Sequence, residues 1–262
     1  MKKINKSINQ PALLAAYYAA NPLDTWSNFT NTDQAGKCET QDALRRDQYH
    51  LCAYCEIDLL RGDGMGNDDF RVEHFHPKSR PPQPPPNWDL DWGNLLGTCH
   101  GGSVSTVSEA SRCTNPDYSC DIPKGNQVLG GLILNPITDI PAFPPLFAFQ
   151  EDGQMRVSEN CPPNLKTQAE RTITELRLSG DSSQNILAAR LSKLRAAVIE
   201  NLRDTIKVSI QQGKTLEFAM EELAEIMFPS APQDSWPAFF STIRWYLGPV
   251  AEDRLKEINY SG

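Results

Sequence analysis

The chain has 262 residues, 22% charged and 39% hydrophobic, ordinary for a soluble globular protein and long enough to bury a real core in one large domain or two small ones. No apolar run approaches the ~20 residues that a membrane span requires. A formal charge of −8 argues against a protein that coats nucleic acid without specificity, because phosphate binding needs local cations.

Charge is unevenly spread. Residues 164–214 carry nine Lys and Arg against five Asp and Glu, whereas the segments on either side are acidic. Any nucleic-acid contact is therefore local or supplied in part by a partner. From the N-terminus, Lys2, Lys3 and Lys6 precede an apolar stretch from Pro11 to Ala20 that loosely imitates a secretory leader. Tyr17 and Tyr18 stand where a cleavage site would lie, and Leu13, Leu14, Tyr17 and Tyr18 fall at helical spacing, so a helix is expected instead. A second helical run, about 41–50, leads directly into Cys52. The first segment, 1–50, is thus read as helical.

Residues 51–135 are loop-rich and hold the chemistry. Gly62, Gly64 and Gly66 form a turn before a short strand from Phe70 to Phe75, and Pro81, Pro82 and Pro84 to Pro86 form an extended tether. A further Pro-rich stretch, Pro136 to Pro145, closes this part. Beyond it, residues 136–262 are read as a helical region. Ala169, Ile173 and Leu176 share one face of a first helix; Leu187, Leu191, Leu194, Val198, Leu202 and Ile206 form a stripe on the next. Gly180 separates them, with Asp181 or Ser182 as N-cap, and breaks follow at Gly213, Pro229 to Pro232 and Gly248-Pro249. The fold class expected is α+β: a mainly helical protein with a small central metal-stapled module.

Seven cysteines cannot all pair in disulfides. Cys52 and Cys55 have the spacing that brings two thiolates to one metal, which suits a reducing, cytoplasmic setting. A tetrahedral structural site needs two more ligands. Cys99, Cys113 and Cys120 are available, with His100 less suited, and Cys52, Cys55, Cys99 and Cys120 are the preferred zinc set. A pair of buried free thiols is the plain alternative.

The run Val72-Glu73-His74-Phe75-His76-Pro77-Lys78-Ser79 sets a carboxylate beside a histidine. Phosphodiester hydrolysis needs a divalent ion and a base of near-neutral pKa, and such a pair can supply both. Strand neighbours point to opposite faces, so Glu73 and His74 can share a site only at a strand end or bulge. Asn94, before the apolar Leu95-Leu96 and Cys99, can fix a loop through backbone hydrogen bonds. Asp121, directly after Cys120, is a candidate hard ligand for Mg²⁺ or Mn²⁺, and Lys124 a point charge for phosphate.

Taken in order, these motifs resemble the HNH endonuclease (ββα-metal) superfamily, in its McrA-like zinc-containing branch. The closer likeness is to the PtuB nucleases of Septu anti-phage systems and to retron-associated HNH proteins. It rests on Leu51-Cys52-Ala53-Tyr54-Cys55-Glu56, Val72-Glu73-His74-Phe75 with Pro77-Lys78-Ser79, Trp92-Gly93-Asn94-Leu95-Leu96, and Lys124-Gly125. The resemblance implies His74 as general base, Glu73 as metal ligand or orienting group, Asn94 as holder of the loop beside His74, and Lys78 and Lys124 as substrate contacts. It also implies structural Zn²⁺, a catalytic Mg²⁺ or Mn²⁺, a nucleic-acid substrate and a PtuA-like ATPase partner. Two departures stand out. Asp121 occupies the position where the family usually has His or Asn, and the gap from Cys99 to Cys120 is long and contains Cys113. His76 and His100 are optional ligands. A nucleoside deaminase is excluded by motif order; a zinc-knuckle adaptor that has lost the chemistry is the remaining rival.

Overall fold

The computed structural model describes residues 1–60, 69–78, 87–104, 118–180, 189–230 and 235–262. The Gly62, Gly64 and Gly66 turn, the Pro81 to Pro86 tether, Ser79, Cys113, Leu187 and the Asp181 or Ser182 cap lie outside the described residues. The architecture is α+β, with helices packed around two small antiparallel hairpins.

Three helices open the chain: α1 (Ala12–Ala20), α2 (Trp26–Thr32) and α3 (Gln34–Asp47). The α2 start is capped by the Thr25 hydroxyl and the α3 start by the Asp33 carboxylate, each accepting from a backbone N–H of the first turn. Glu39 of α3 accepts from the Ala12 and Leu13 N–H groups, which satisfies two of the free donors of α1. Leu14, Trp26, Phe29, Ala43 and Leu44 of these helices pack with Leu90, Trp92 and Leu95, so the helical entry is a wall of the central module.

That module is a hairpin followed by a short helix. Strand β1 (Arg71–His74) pairs with β2 (Leu95–Thr98) in antiparallel register, Arg71 opposite Thr98 and His74 opposite Leu95. A single 3₁₀ turn, Trp92–Asn94, feeds β2, and α4 (Asp121–Lys124) follows. Gln48, just past α3, brackets Gly97: its amide oxygen accepts from Gly97 N and its amide nitrogen donates to Gly97 O, at 2.7 and 2.8 Å. A side chain at Gly97 would meet Leu59 and Gln48 at 3.0–3.2 Å, which explains a glycine in mid-strand.

The remainder comprises β3 (Phe147–Phe149) paired with β4 (Met155–Val157), then α5 (Lys166–Glu175), α6 (Ala189–Gln211), α7 (Leu216–Met227), α8 (Phe240–Leu247) and α9 (Pro249–Glu257). Breaks fall at Gly213 (φ 90°) and Gly248 (φ 56°), as the composition suggests, and Pro249 starts α9 where its missing N–H costs nothing. On α6 the buried stripe is Leu191, Arg195, Ile199, Leu202 and Ile206, while Leu194 and Val198 are only partly buried flanks. The sequence stripe was therefore rotated slightly, because it passed over an arginine that the fold buries.

The three sequence segments share one core. Met1 and Ile4, the four cysteines of the module, Phe147, Phe149, Leu191 and Phe239 belong to a single buried cluster. Glu56, in the knuckle, binds across the chain: its carboxylate accepts from the Ser241 N–H (2.8 Å) and hydroxyl (2.6 Å), and its carbonyl from Phe239 N (2.8 Å). Among the described residues, no helix is long and apolar enough to cross a membrane.

Candidate active site and metal centre

Cys52, Cys55, Cys99 and Cys120 converge, buried, with their sulfurs all within 4.8 Å of one another. The Sγ–Sγ separations are 3.9 Å for Cys52–Cys120 and 3.7 Å for both Cys55–Cys99 and Cys99–Cys120. Four sulfurs on a tetrahedron of radius ~2.3 Å lie about 3.8 Å apart, the edge of a tetrathiolate zinc site. The donors are soft, buried and correctly spaced, and none of the described cysteines is in a disulfide. The set therefore fits a structural metal. Hydrogen bonding among the neighbouring thiols, Cys52 foremost, and then burial push the Cys120 thiol well up, so four buried thiolates need a cation to coexist. Cys120 holds φ 63°, a left-handed backbone that turns its sulfur in while α4 begins at the next residue.

Glu73 and His74 leave β1 on opposite faces, as strand neighbours do. His74 ends the strand, and its ring contacts lie on the face opposite the Glu73 carboxylate. Its ring meets the edge of Trp26 (centroids 5.4 Å apart), and Nε2 lies 3.1 Å from the Asp89 carbonyl oxygen. A carbonyl can only accept, so Nε2 carries the proton and Nδ1 is the basic nitrogen. Burial holds the imidazole pKa down to about 3 against that hydrogen bond, with Lys78 and Lys124 adding repulsion. His74 is thus neutral at physiological pH. Lys78 is exposed and near enough to act on both His74 and Asp89.

The loop supplying the Asp89 carbonyl is tied at both ends. Asp89 Oδ2 accepts from Trp26 N (3.0 Å), and Asn87 donates to Pro22 O and Asp24 O (3.2 and 2.7 Å). Asn94, 2% exposed, closes the other end. Its Oδ1 accepts from His76 N (2.7 Å), and its Nδ2 donates to His76 O (2.9 Å) and Trp88 O (2.7 Å). His76 stacks on Trp88, centroids 4.2 Å apart, as part of the same clasp.

On the other face of β1, Glu73 meets α4. Lys124 Nζ is 2.6 Å from Glu73 Oε1 and donates to His74 O at 3.1 Å. Lys124 is only 1% exposed, so the surface phosphate contact expected of it is not what the fold offers; its ammonium ties strand to helix. Asp121 lies beside this pair. Its Oδ2 is 2.9 Å from Arg71 Nε, and its Oδ1 is buried without a hydrogen-bond partner, as are the Tyr54 and Thr98 hydroxyls. Burial pushes the Asp121 carboxyl up to about 7, against the pull of Arg71 and helped by Glu73; burial likewise raises Glu73, against Lys124. Two adjacent acids, one with an orphaned oxygen, fit a divalent ion with oxygen ligands.

Sequence reasoning missed Arg71, Asp89, Gln48 and Arg195. Only the Asp-x-Asp spacing of Asp89 and Asp91 hinted at a turn there. The other three gave no local signal, because their partners lie far along the chain.

No family model matches the chain. Over 104 residues, 39% of its length, it is 40% identical to the Escherichia coli protein named "Retron Ec83 putative HNH endonuclease", and it spans about two fifths of that relative's length. The likeness, with the four-cysteine cluster and the strand–strand–helix order around it, fits a zinc-containing HNH module and supports a nuclease.

Proposed function

We propose that the chain is a metal-dependent HNH endonuclease that hydrolyses phosphodiester bonds of nucleic acid. The observation that carries this reading is the placement of His74: an imidazole at a strand end, fixed by the Asp89 carbonyl through Nε2, which leaves Nδ1 as its proton-accepting nitrogen. In this reading Nδ1 takes the proton from the attacking water, and the Asp89 carbonyl stabilises the imidazolium that forms. Asn94 and Trp26 hold that carbonyl in place, so the base is oriented before substrate arrives. Lys78, exposed beside His74, binds a substrate phosphate. Glu73 and Asp121 are the ligands for Mg²⁺ or Mn²⁺, which when bound supplies charge stabilisation to the phosphate and the departing oxygen. Cys52, Cys55, Cys99 and Cys120 hold Zn²⁺, which is structural.

The same reading makes the chain the nuclease subunit of an anti-phage complex with a PtuA-like ATPase. It rests on the motif likeness, on the retron-derived name of the relative, and on an acidic protein poorly suited to grip nucleic acid alone. A second reading, a zinc-knuckle adaptor, draws on one observation: Glu73 and Asp121 each already face a cation. The test is cleavage of plasmid, single-stranded DNA and tRNA with Mg²⁺ or Mn²⁺, with and without the ATPase, beside His74→Ala. Metal-dependent cutting that disappears in His74→Ala with zinc still bound is the expected result. No cutting in any condition by a zinc-loaded protein would overturn the nuclease, and full activity in the variant would overturn His74 as its base.

A further inference from the structure

Arg71 lies on the acidic face and has no role in the proposed chemistry. It opens β1 on the same face as Glu73, two residues away, and its Nε lies 2.9 Å from Asp121 Oδ2. Its side chain is 45% exposed while that of Asp121 is 2% exposed, so the guanidinium reaches in from solvent to a buried carboxylate. Among the described residues the face holds two carboxylates, Glu73 and Asp121, and two cations, Arg71 and Lys124. With both carboxylates ionised it is electrically balanced.

A dication added to that set leaves it two charges in excess, and one resident cation must loosen. Lys124 cannot move out: it is 1% exposed and bonded to both Glu73 and the His74 carbonyl. Arg71 can, because it is held at the rim and has water on its far side. Its planar fork matches a phosphate as well as it matches a carboxylate, and phosphate supplies the negative charge that the loaded site lacks.

We infer that Arg71 is a substrate-clamping residue that exchanges partners: it holds Asp121 while the acidic pair has no divalent ion and grips a phosphate of the nucleic acid once Asp121 turns to the metal. This rests on the nuclease reading. It gives the acidic face a latch that keeps two neighbouring carboxylates quiet before loading, and makes metal and nucleic acid bind cooperatively through one side chain.

The experiment uses zinc-loaded full-length protein and two probes. Mn²⁺ affinity is measured by titration calorimetry without nucleic acid, and binding of a fluorescein-labelled duplex DNA by anisotropy across a salt series, with Mn²⁺ present and His74→Ala in every background to prevent cutting. Arg71→Met removes the competitor for Asp121, so Mn²⁺ should bind roughly tenfold more tightly, the size of one charge-assisted hydrogen bond. The same change should weaken duplex binding and reduce the salt slope by about one phosphate contact. Arg71→Lys, which keeps a charge without the fork, should fall between. Arg71→Met leaves the buried Asp121 carboxylate unpaired, so the melting temperature should fall, while zinc content should stay at the parent value. Parent protein that binds Mn²⁺ while Arg71→Met matches it in both readouts, or binds Mn²⁺ more weakly, overturns the exchange and leaves Arg71 a structural clamp. Parent protein that binds no Mn²⁺ and a wild type that cuts nothing overturn the nuclease reading itself, and the exchange falls with it.

Discussion

Asn94 offers the sharpest test of how the loop beside His74 is held. Its amide makes three hydrogen bonds, accepting from His76 N and donating to His76 O and Trp88 O, all within 2.7–2.9 Å. Asn94→Ala removes all three. At a net 0.5–1.5 kcal/mol each, and with His76 and Trp88 only partly buried so that water can replace some of the loss, the cost is roughly 2–3 kcal/mol. For a chain of this size that is a fall in melting temperature of roughly 5–10 °C. Asn94→Asp is the informative variant. It is nearly isosteric and keeps the acceptor for His76 N, yet it sets an oxygen against two carbonyl oxygens that need donors. It should therefore destabilise at least as much as alanine. Because the same loop carries the Asp89 carbonyl that aims His74, cleavage should fall on the order of 100-fold in both variants while zinc stays bound. Thermal denaturation, metal content and a plasmid-nicking assay measure the three effects. Asn94→Asp with a wild-type melting temperature and rate would refute the reasoning, since it would show that the donors do not matter.

Stability should depend on pH through His74. Its folded value of about 3 lies below the ordinary 6.5, so the unfolded chain takes up a proton that the folded chain refuses, and stability falls as pH drops through 6.5 towards 3. Between pH 7 and 5 this amounts to about 2 kcal/mol in urea unfolding, and His74→Gln should lose that part of the slope while retaining any due to metal loss. The Asp121 carboxyl, near 7, must give up its proton to bind a cation. Mn²⁺ affinity should accordingly rise up to tenfold per pH unit below that value and flatten above it, and Asp121→Asn should bind more weakly above pH 7 but without the pH step. Chelator treatment should strip the tetracysteine site and unfold the central module, read as loss of far-UV signal and of protease resistance; a module that stays folded and metal-free would show that packing alone suffices.

Much of this was written locally in the sequence. Cys52-x-x-Cys55 with Cys99 and Cys120 suggested a ligand set because two thiols at that spacing can reach one metal, and the four sulfurs do converge. The strand at Glu73-His74, the turn ending at Asn94 and the helix breaks at Gly213 and Gly248-Pro249 were readable because turn and cap chemistry acts over a few residues. What the tertiary structure alone decided is the fate of the charges. Lysine and arginine are by habit surface residues, so nothing local says that Lys124 and Arg195 are buried. Lys124 is sunk because Glu73 and the His74 carbonyl, some 50 residues away, solvate it in place of water. Likewise Asp89 matters to His74 through a backbone carbonyl, which every residue possesses and no motif can mark. Local pattern names the donors and ligands; which partner each one meets is set by contacts between distant segments, and that pairing fixes the charge state and reach of every group in the site.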